Sequence, residues 1–147
     1  MLLTCVGYRF TILPFIKIKT ESTELKVMSS ATAGFYYVEC IDDRSIGFIS
    51  VFPRSGDESH KADISYAVSP NYWGHGIVTE VVKIAVPQEF KDFPHLLRLQ
   101  AGAIPNNKAS QRVLEKAGFQ REGLFRKYGY MKGEIIDLVV YSFLSTD

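Results

Sequence analysis

The segment 62–86 changes its hydrophobic period, and this change constrains the fold more than any other feature of the chain. Residues 62–69 are rich in β-branched and aromatic side chains, which predicts a strand. From 76–86 the apolar residues recur at intervals of four, which predicts a helix with one broad buried face. A further strand is predicted at 96–103. Strand, helix and strand in this order predict a parallel pair joined by a right-handed crossover.

The remaining strands surround this unit. They are predicted at 8–18, 35–41, 46–52, 119–131 and 134–144. The short polar link between 41 and 46, and Lys132-Gly133 near the end of the chain, predict two hairpins. Together these elements predict one α/β domain, a mixed sheet with helices packed on it.

Helix ends are marked by proline, asparagine and glycine. Pro87 lacks an N–H group and is predicted to end or kink the first helix. A second helix at 107–117 is predicted to be capped by Asn106 or Asn107 and to stop at Gly118. The weakly patterned residues 21–28 are assigned a couple of helical turns.

Composition excludes several classes of protein. The 147 residues fit one domain, and 17 basic against 16 acidic residues leave a charge of +1, so no polyanionic partner is expected. The two cysteines, Cys5 and Cys40, and the three scattered histidines indicate neither a disulfide scaffold nor a metal site. No apolar run is long enough to span a bilayer, and no secretory signal is evident. We therefore expect a cytoplasmic protein without nucleic-acid or membrane partners, and a nuclear or plastid location stays open.

The turn between the strand 62–69 and the following helix is the most informative motif. Gly74 and Gly76 flank His75 immediately before the helix, where unpaired N–H groups and the helix dipole favour an anion. Glycines would let a pyrophosphate approach the backbone closely. The alternative is that both glycines only close a tight turn. The motif lacks the third glycine of the dinucleotide fingerprint and the Gly-Lys-Ser/Thr of a P-loop.

An ordered set of motifs resembles the GNAT acyltransferase family, and within it the ribosomal-protein N-terminal acetyltransferase branch (RimJ/RimL-like). The motif sequences are most similar to those of small plant proteins of this type. The matching pieces cover roughly 35–147. They are Ile46-Gly47-Phe48-Ile49-Ser50, Asp63-Ile64-Ser65-Tyr66, Tyr72 to Glu80, Asn107-Lys108-Ala109-Ser110, Gly118-Phe119, Lys132-Gly133, Asp137 and Tyr141-Ser142.

The resemblance implies an N-acetyltransferase that moves an acetyl group from acetyl-CoA to a primary amine, either a protein N-terminus or a small amine, by direct transfer in a ternary complex. It implies a mixed, mostly antiparallel sheet that splays at the acyl-CoA site, with flanking helices and no metal. The implied cofactor-binding residues are Ala67, Val68, Ser69, Gly74, His75, Gly76, Ile77, Val78, Thr79, Asn107 and Ser110.

Three residues are candidates for the chemistry. Asp63 starts the strand that leads to the cofactor and is the first candidate for the general base; the alternative is a surface carboxylate at a strand end. Ser110 matches the family position near the cofactor sulfur, and the alternative is a residue that satisfies a helix N–H group. Tyr128 could donate to the departing thiolate, although alternate tyrosines on a strand, here with Tyr130, also suit packing. Tyr66 and Trp73 are interpreted as packing residues beside the cofactor loop.

The N-terminal region departs from the family pattern. Residues 1–34 have room for a strand and one short helix at most, where the family has a strand and two helices that wall the acceptor site. We therefore interpret 1–147 as a single domain with an atypical, shortened N-terminal region and a cofactor-binding portion at 35–147. A catalytically weak CoA-binding or interaction module remains the alternative function, and homodimerisation stays open.

Overall fold

The computed structural model describes residues 16–19, 24–29, 35–40 and 45–147, and within these residues the chain forms eight strands and two α-helices. The strands are β1 (Ile16–Lys19), β2 (Glu24–Ser29), β3 (Phe35–Cys40), β4 (Ser45–Pro53), β5 (Lys61–Val68), β6 (Arg98–Ala103), β7 (Gln120–Met131) and β8 (Glu134–Leu144). The helices are α1 (Ile77–Asp92) and α2 (Lys108–Lys116). One sheet contains all eight strands in the order β1-β2-β3-β4-β5-β6-β8-β7.

The first five strands form an antiparallel meander. The predicted hairpin of β3 and β4 is confirmed. The prediction of helical turns at 21–28 is wrong, because β2 pairs with β1 on one edge and with β3 on the other. The two neighbouring strands pair with the backbone groups of β2. A helix of only two turns would be marginally stable in water. Of the strand predicted at 8–18, residues 8–15 lie outside the described residues.

The sheet splays between β5 and β6, which are its only parallel pair within the described strands. Their register has three pairs, Lys61↔Arg98, Ala62↔Leu99 and Asp63↔Gln100. Beyond Asp63, β5 stays paired with β4 as far as Val68, and β6 stays paired with β8 as far as Ala103. The predicted parallel pair and the mixed, mostly antiparallel, splayed sheet are therefore confirmed.

Helix α1 continues through Pro87 to Asp92. Of the two predicted effects of this proline, ending the helix is therefore wrong, and the kink stays a prediction. Pro87 and Lys83, the residue whose carbonyl loses its helical partner, are both exposed, and water can satisfy that carbonyl. Beyond the proline, Glu89 is buried and the ring of Phe90 lies 6.2 Å from that of Phe143 on β8. Packing on the sheet therefore holds the last turns in place.

The hydrophobic core lies between the sheet and the two helices. Its most buried side chains come from α1, α2, β4, β6 and β8, and each large aliphatic one contributes about 1.5–3 kcal/mol on burial. They include Ile49, Val51, Val81, Val82, Leu99, Leu114 and Tyr141. This packing brings the N-termini of both helices to the splayed end of β5. No helix among the described residues is long and apolar enough to cross a membrane.

Candidate functional site

A cavity of about 440 Å³ opens where β5, the loop before α1 and the first turns of both helices meet. It brings together nine of the eleven residues that the sequence predicts for the cofactor. These are Ala67, Val68, Gly74, Gly76, Ile77, Val78, Thr79, Asn107 and Ser110. Ser69 and His75 do not line it: the Ser69 N–H donates to the Ile46 carbonyl at 2.7 Å, and His75 is exposed.

The N-terminus of α1 presents unpaired backbone donors to this cavity. The first helical bond runs from the Glu80 N–H to the Gly76 carbonyl at 3.1 Å, and no side chain caps the helix. The N–H groups of residues 77–79 therefore have no intrahelical acceptor, and all three residues line the cavity. The positive end of the helix dipole adds a favourable field for an anion.

Gly74 and Gly76 shape the approach to these donors. Their φ angles are 78° and 72°, in the left-handed region that side chains other than hydrogen disfavour. A Cβ atom built on either glycine meets no protein atom within 4 Å, so the space above the loop is open. An open glycine surface beside uncapped helix N–H groups has the form of a phosphate site. These residues therefore fit the pyrophosphate of acetyl-CoA.

The edge of β5 that faces β6 is a second polar surface of the cavity. Within the described residues, no backbone hydrogen bond joins 64–68 to β6, because the parallel register ends at Asp63. One group is already engaged, since the Trp73 indole N–H donates to the Val68 carbonyl at 3.0 Å. Trp73 was interpreted from the sequence as a packing residue, but 66% of it is exposed and it holds the loop against the strand end.

Helix α2 is fixed at the cavity by several polar contacts. The Asn107 side chain accepts from the Ser110 N–H at 3.1 Å, which confirms Asn107 as the cap. The Gln111 amide donates to the carbonyls of Ile104 and Pro105 at 3.2 and 2.8 Å, and Tyr141 donates to Glu115 at 3.0 Å. The N-terminal turn of α2 is thus held by side-chain bonds as well as by core packing.

The Ser110 hydroxyl is not used for capping, because it pairs with Tyr66. The two hydroxyl oxygens lie 2.8 Å apart, and the Tyr66 hydroxyl also donates to the Ser110 carbonyl at 3.1 Å. When Tyr66 turns its single proton from that carbonyl to the Ser110 hydroxyl, the serine proton is free to point at a group in the cavity. Burial raises the pKa of Tyr66, partly offset by the bond with Ser110, so the phenol stays protonated at neutral pH.

Sequence reasoning assigned Tyr66 to packing and missed this pair. The alternation of side chains along β5 indicates that Tyr66 faces the helices. Ala62 and Ile64 are buried on the helix-facing side of the strand, and Tyr66 is the next residue on that face. The partner could not be found in the same way, because Ser110 lies 44 residues further along the chain.

Asp63 lies at the end of the β5–β6 ladder and does not line the cavity. Arg54 donates to both of its carboxylate oxygens, at 2.8 and 3.2 Å, and the Gln100 amide donates to one of them at 2.8 Å. The hydrogen bond to Asp63 is the largest cause that raises the pKa of Arg54. Three donors thus already bind the proposed base, and its role as a base stays a prediction.

Tyr128 lies on the edge strand β7, outside the cavity. More than half of the side chain is exposed, and its ring stands edge-on to Phe125 at 5.1 Å. The strand is irregular here: Lys127 has a φ of 50°, and its N–H donates to Asp137 at 2.7 Å. The structure does not bring Tyr128 to Ser110, and its role as an acid stays a prediction. Among the described residues, no group of three or more His, Cys, Asp and Glu could hold a metal ion.

The comparisons with known proteins agree with this geometry. The family model described as "Acetyltransferase (GNAT) domain" matches residues 14–120. The chain is 40% identical over 106 residues to the probable N-acetyltransferase YjcK of Bacillus subtilis, across 72% of this chain and 58% of that protein. The chain spans about half the length of the curated relatives it matches.

Two solved structures extend the comparison. The ribosomal-protein-S5-alanine acetyltransferase of Vibrio fischeri is 27% identical with a TM-score of 0.70, covering 82% of this chain and 63% of its own. RimJ of Mycobacterium smegmatis, solved in complex with CoA-disulfide, is 24% identical with a TM-score of 0.66, covering 77% and 54%, and shows the fold alone. These relatives are bacterial, and the resemblance to plant proteins stays a prediction. By its family match and its fold, the chain belongs to the GNAT acetyltransferase family.

Proposed function

We propose that this chain is an acyl-CoA-dependent N-acetyltransferase that moves an acetyl group from acetyl-CoA to a primary amine. One observation carries the proposal. The uncapped N-terminus of α1, with Gly74 and Gly76 in left-handed conformation, faces the same cavity as the unpaired edge of β5. Phosphates and an extended amide-containing arm need these two kinds of surface side by side.

The glycine loop and the first turn of α1 would hold the pyrophosphate of the cofactor. The N–H groups of 77–79 supply donors, and the glycines leave room for the oxygens. The free backbone groups of 64–68 would bond the amides of the pantetheine arm as an added strand. The match to the GNAT acetyltransferase domain supports acetyl-CoA as the ligand.

The reaction is a direct transfer between two bound substrates. The neutral amine attacks the thioester carbonyl carbon, a C–N bond forms, and the C–S bond breaks to leave a thiolate. The amine loses one proton and the sulfur gains one, so the step is balanced. Holding both substrates in one complex supplies much of the rate, because alignment replaces a bimolecular encounter.

The Ser110–Tyr66 pair would stabilise the leaving thiolate. When Tyr66 donates to the Ser110 hydroxyl oxygen, the serine hydroxyl donates its own proton to the sulfur. The raised pKa of Tyr66 makes the pair a hydrogen-bond donor rather than the net source of the proton. Asp63 as the base that receives the amine proton, and Tyr128 as an additional donor, remain our predictions from the sequence.

The acceptor is proposed to be a protein N-terminus or a small amine. The similarity to a ribosomal-protein-S5-alanine acetyltransferase favours an N-terminal amine. A catalytically weak CoA-binding module is the second candidate. The engagement of Asp63 by Arg54 and Gln100 favours it, because three donors already occupy the carboxylate that would have to accept the amine proton.

Calorimetric titration with acetyl-CoA and CoA, followed by a free-thiol assay with mixed peptide N-termini and polyamines, tests the proposal. Binding with thiol release that depends on the amine is the expected result. Binding without release by any amine would favour the CoA-binding module. Absence of binding to either ligand would contradict both candidates.

A further inference from the structure

A row of polar side chains crosses the sheet on the face opposite the helices. Its members come from the residue after β4 and from β5, β6, β7 and β8. On β5, β6 and β8 they alternate with residues of the buried core, such as Ala62, Leu99 and Tyr141. We call it the polar row; it consists of Arg54, Asp63, Gln100, Arg98, Glu122 and Ser142.

Each member of the polar row is bonded to the next. Arg54 and Gln100 donate to Asp63, and Arg98 donates to the Gln100 oxygen at 3.3 Å. Beyond Gln100, Arg98 pairs with Glu122 at 2.8 Å through one guanidinium nitrogen, and Ser142 donates to the same carboxylate at 2.8 Å. The row is therefore a continuous set of charge-assisted contacts rather than isolated surface pairs.

The row crosses the splay at one place, the pair Asp63 and Gln100. This pair is also the last in the parallel register of β5 and β6. Three parallel pairs form a short ladder, and parallel pairing is the less stable kind. The outer edges of both strands stay paired beyond this point, so the two strands separate where the ladder between them ends.

We propose that Asp63 and Gln100 form a clasp that stops the β5–β6 ladder from opening further and so fixes the inner end of the cavity. Arg54 and Arg98 hold the two partners in position from either side. The clasp gives Asp63 a positioning role that does not depend on its being the general base. Its effect on acetyl-CoA rests on the proposed function, whereas its effect on the ladder does not.

Three variants test the clasp. Gln100→Leu removes the donor to Asp63 while keeping a side chain of similar size. The double variant Asp63→Asn with Gln100→Glu exchanges the two functional groups, so that an amide at 63 can donate to a carboxylate at 100. Gln88→Leu is the matched control, because it removes a Gln-to-Asp bond of 2.7 Å, to Asp92, at the far end of α1.

Hydrogen–deuterium exchange of the ligand-free protein is the first measurement. We expect Gln100→Leu to speed exchange in 61–63 and 98–100 about tenfold or more, the size expected for losing a hydrogen bond to a charged group. The exchanged pair should restore protection, and Gln88→Leu should leave these segments unchanged. Wild-type exchange in Gln100→Leu would overturn the clasp.

Calorimetry and turnover then separate the two roles of Asp63. If the clasp positions the cavity, Gln100→Leu weakens acetyl-CoA binding at least about threefold, and the exchanged pair restores both affinity and kcat. If affinity does not return in the exchanged pair, the positioning role is refuted. If affinity returns while kcat stays lost, the clasp is supported and the carboxylate at 63 is needed for the chemistry as well. The exchange result decides the clasp even if the wild type binds no acetyl-CoA, in which case only the proposed function fails.

Discussion

Replacing Gly74 with valine tests the site most directly. Gly74 lies in the loop before α1 with a φ of 78°, and a Cβ atom built there meets nothing within 4 Å. The new side chain therefore projects into the open space that we assign to the pyrophosphate. We expect Gly74→Val to abolish acetyl-CoA binding while the protein stays folded.

Two magnitudes decide this expectation. A non-glycine residue in left-handed conformation costs about 1–2 kcal/mol, against a total stability of about 5–15 kcal/mol for a domain. Loss of two charge-assisted hydrogen bonds to a phosphate, at about 1.5–3 kcal/mol each, corresponds to a fall in affinity of roughly 100-fold or more. The substitution should therefore remove measurable acetyl-CoA binding while the free energy of unfolding stays positive.

The chain offers a matched control in Gly56, which begins the short turn Gly56–Glu58 between β4 and β5. Its φ is 63°, and a Cβ atom built there also meets nothing within 4 Å. Gly56→Val should therefore carry a similar strain and leave affinity unchanged. Thermal unfolding and calorimetry of both variants make the comparison. Wild-type affinity in folded Gly74→Val, or equal losses in both variants, would refute the assignment of this loop.

Three further results are expected. Ser110→Ala should lower kcat about tenfold or more through loss of the bond to the thiolate, with little change in acetyl-CoA affinity; equal changes in both would indicate a structural role. Glu122→Gln should make the free energy of unfolding less dependent on pH in the acid range. Hydrogen bonding by Arg98 lowers the pKa of Glu122 to about 2. The contribution of this carboxylate to stability is therefore present above its unfolded pKa of about 4.5 and is lost as the pH falls towards 2. An unchanged acid-unfolding curve would contradict this. Pro87→Ala should restore a helical bond to the Lys83 carbonyl and raise the Tm by about 2–4 °C, if the gain is about 1 kcal/mol; a lower Tm would show that the ring contributes packing.

Local signals in the sequence predicted the backbone geometry around the cavity. The change of period at 62–86, the glycine loop and the cap at Asn107 each depend on residues a few positions apart, and the structure reproduces all three. The sequence could not show that α1 continues through Pro87, because the free-energy cost of a proline in a helix depends on solvent exposure and on packing of the turns beyond it. The strand β2 was misjudged because its stability comes from two neighbouring strands rather than from its own pattern.

Long-range side-chain contacts were beyond the reach of sequence patterns. Gln100 and Asp63 are 37 residues apart, and Arg98 and Glu122 are 24 apart. Only the register of the sheet brings them together, and one residue of slip would turn each side chain to the other face. Asp63 therefore read as a free carboxylate at a strand end, although the folded chain gives it three donors.

Two hydrogen bonds on β5 explain how one strand could serve both the cofactor binding and the chemistry that we propose. Asp63 bonds Gln100 on the face opposite the helices, and Tyr66, three residues later, bonds Ser110 on the helix-facing side. The bond between Asp63 and Gln100 lies at the closed end of the splay, and the bond between Tyr66 and Ser110 joins the open end to α2. Because separate bonds hold the two ends, substitutions at Gln100 should act on cofactor affinity, whereas substitutions at Ser110 should act on turnover.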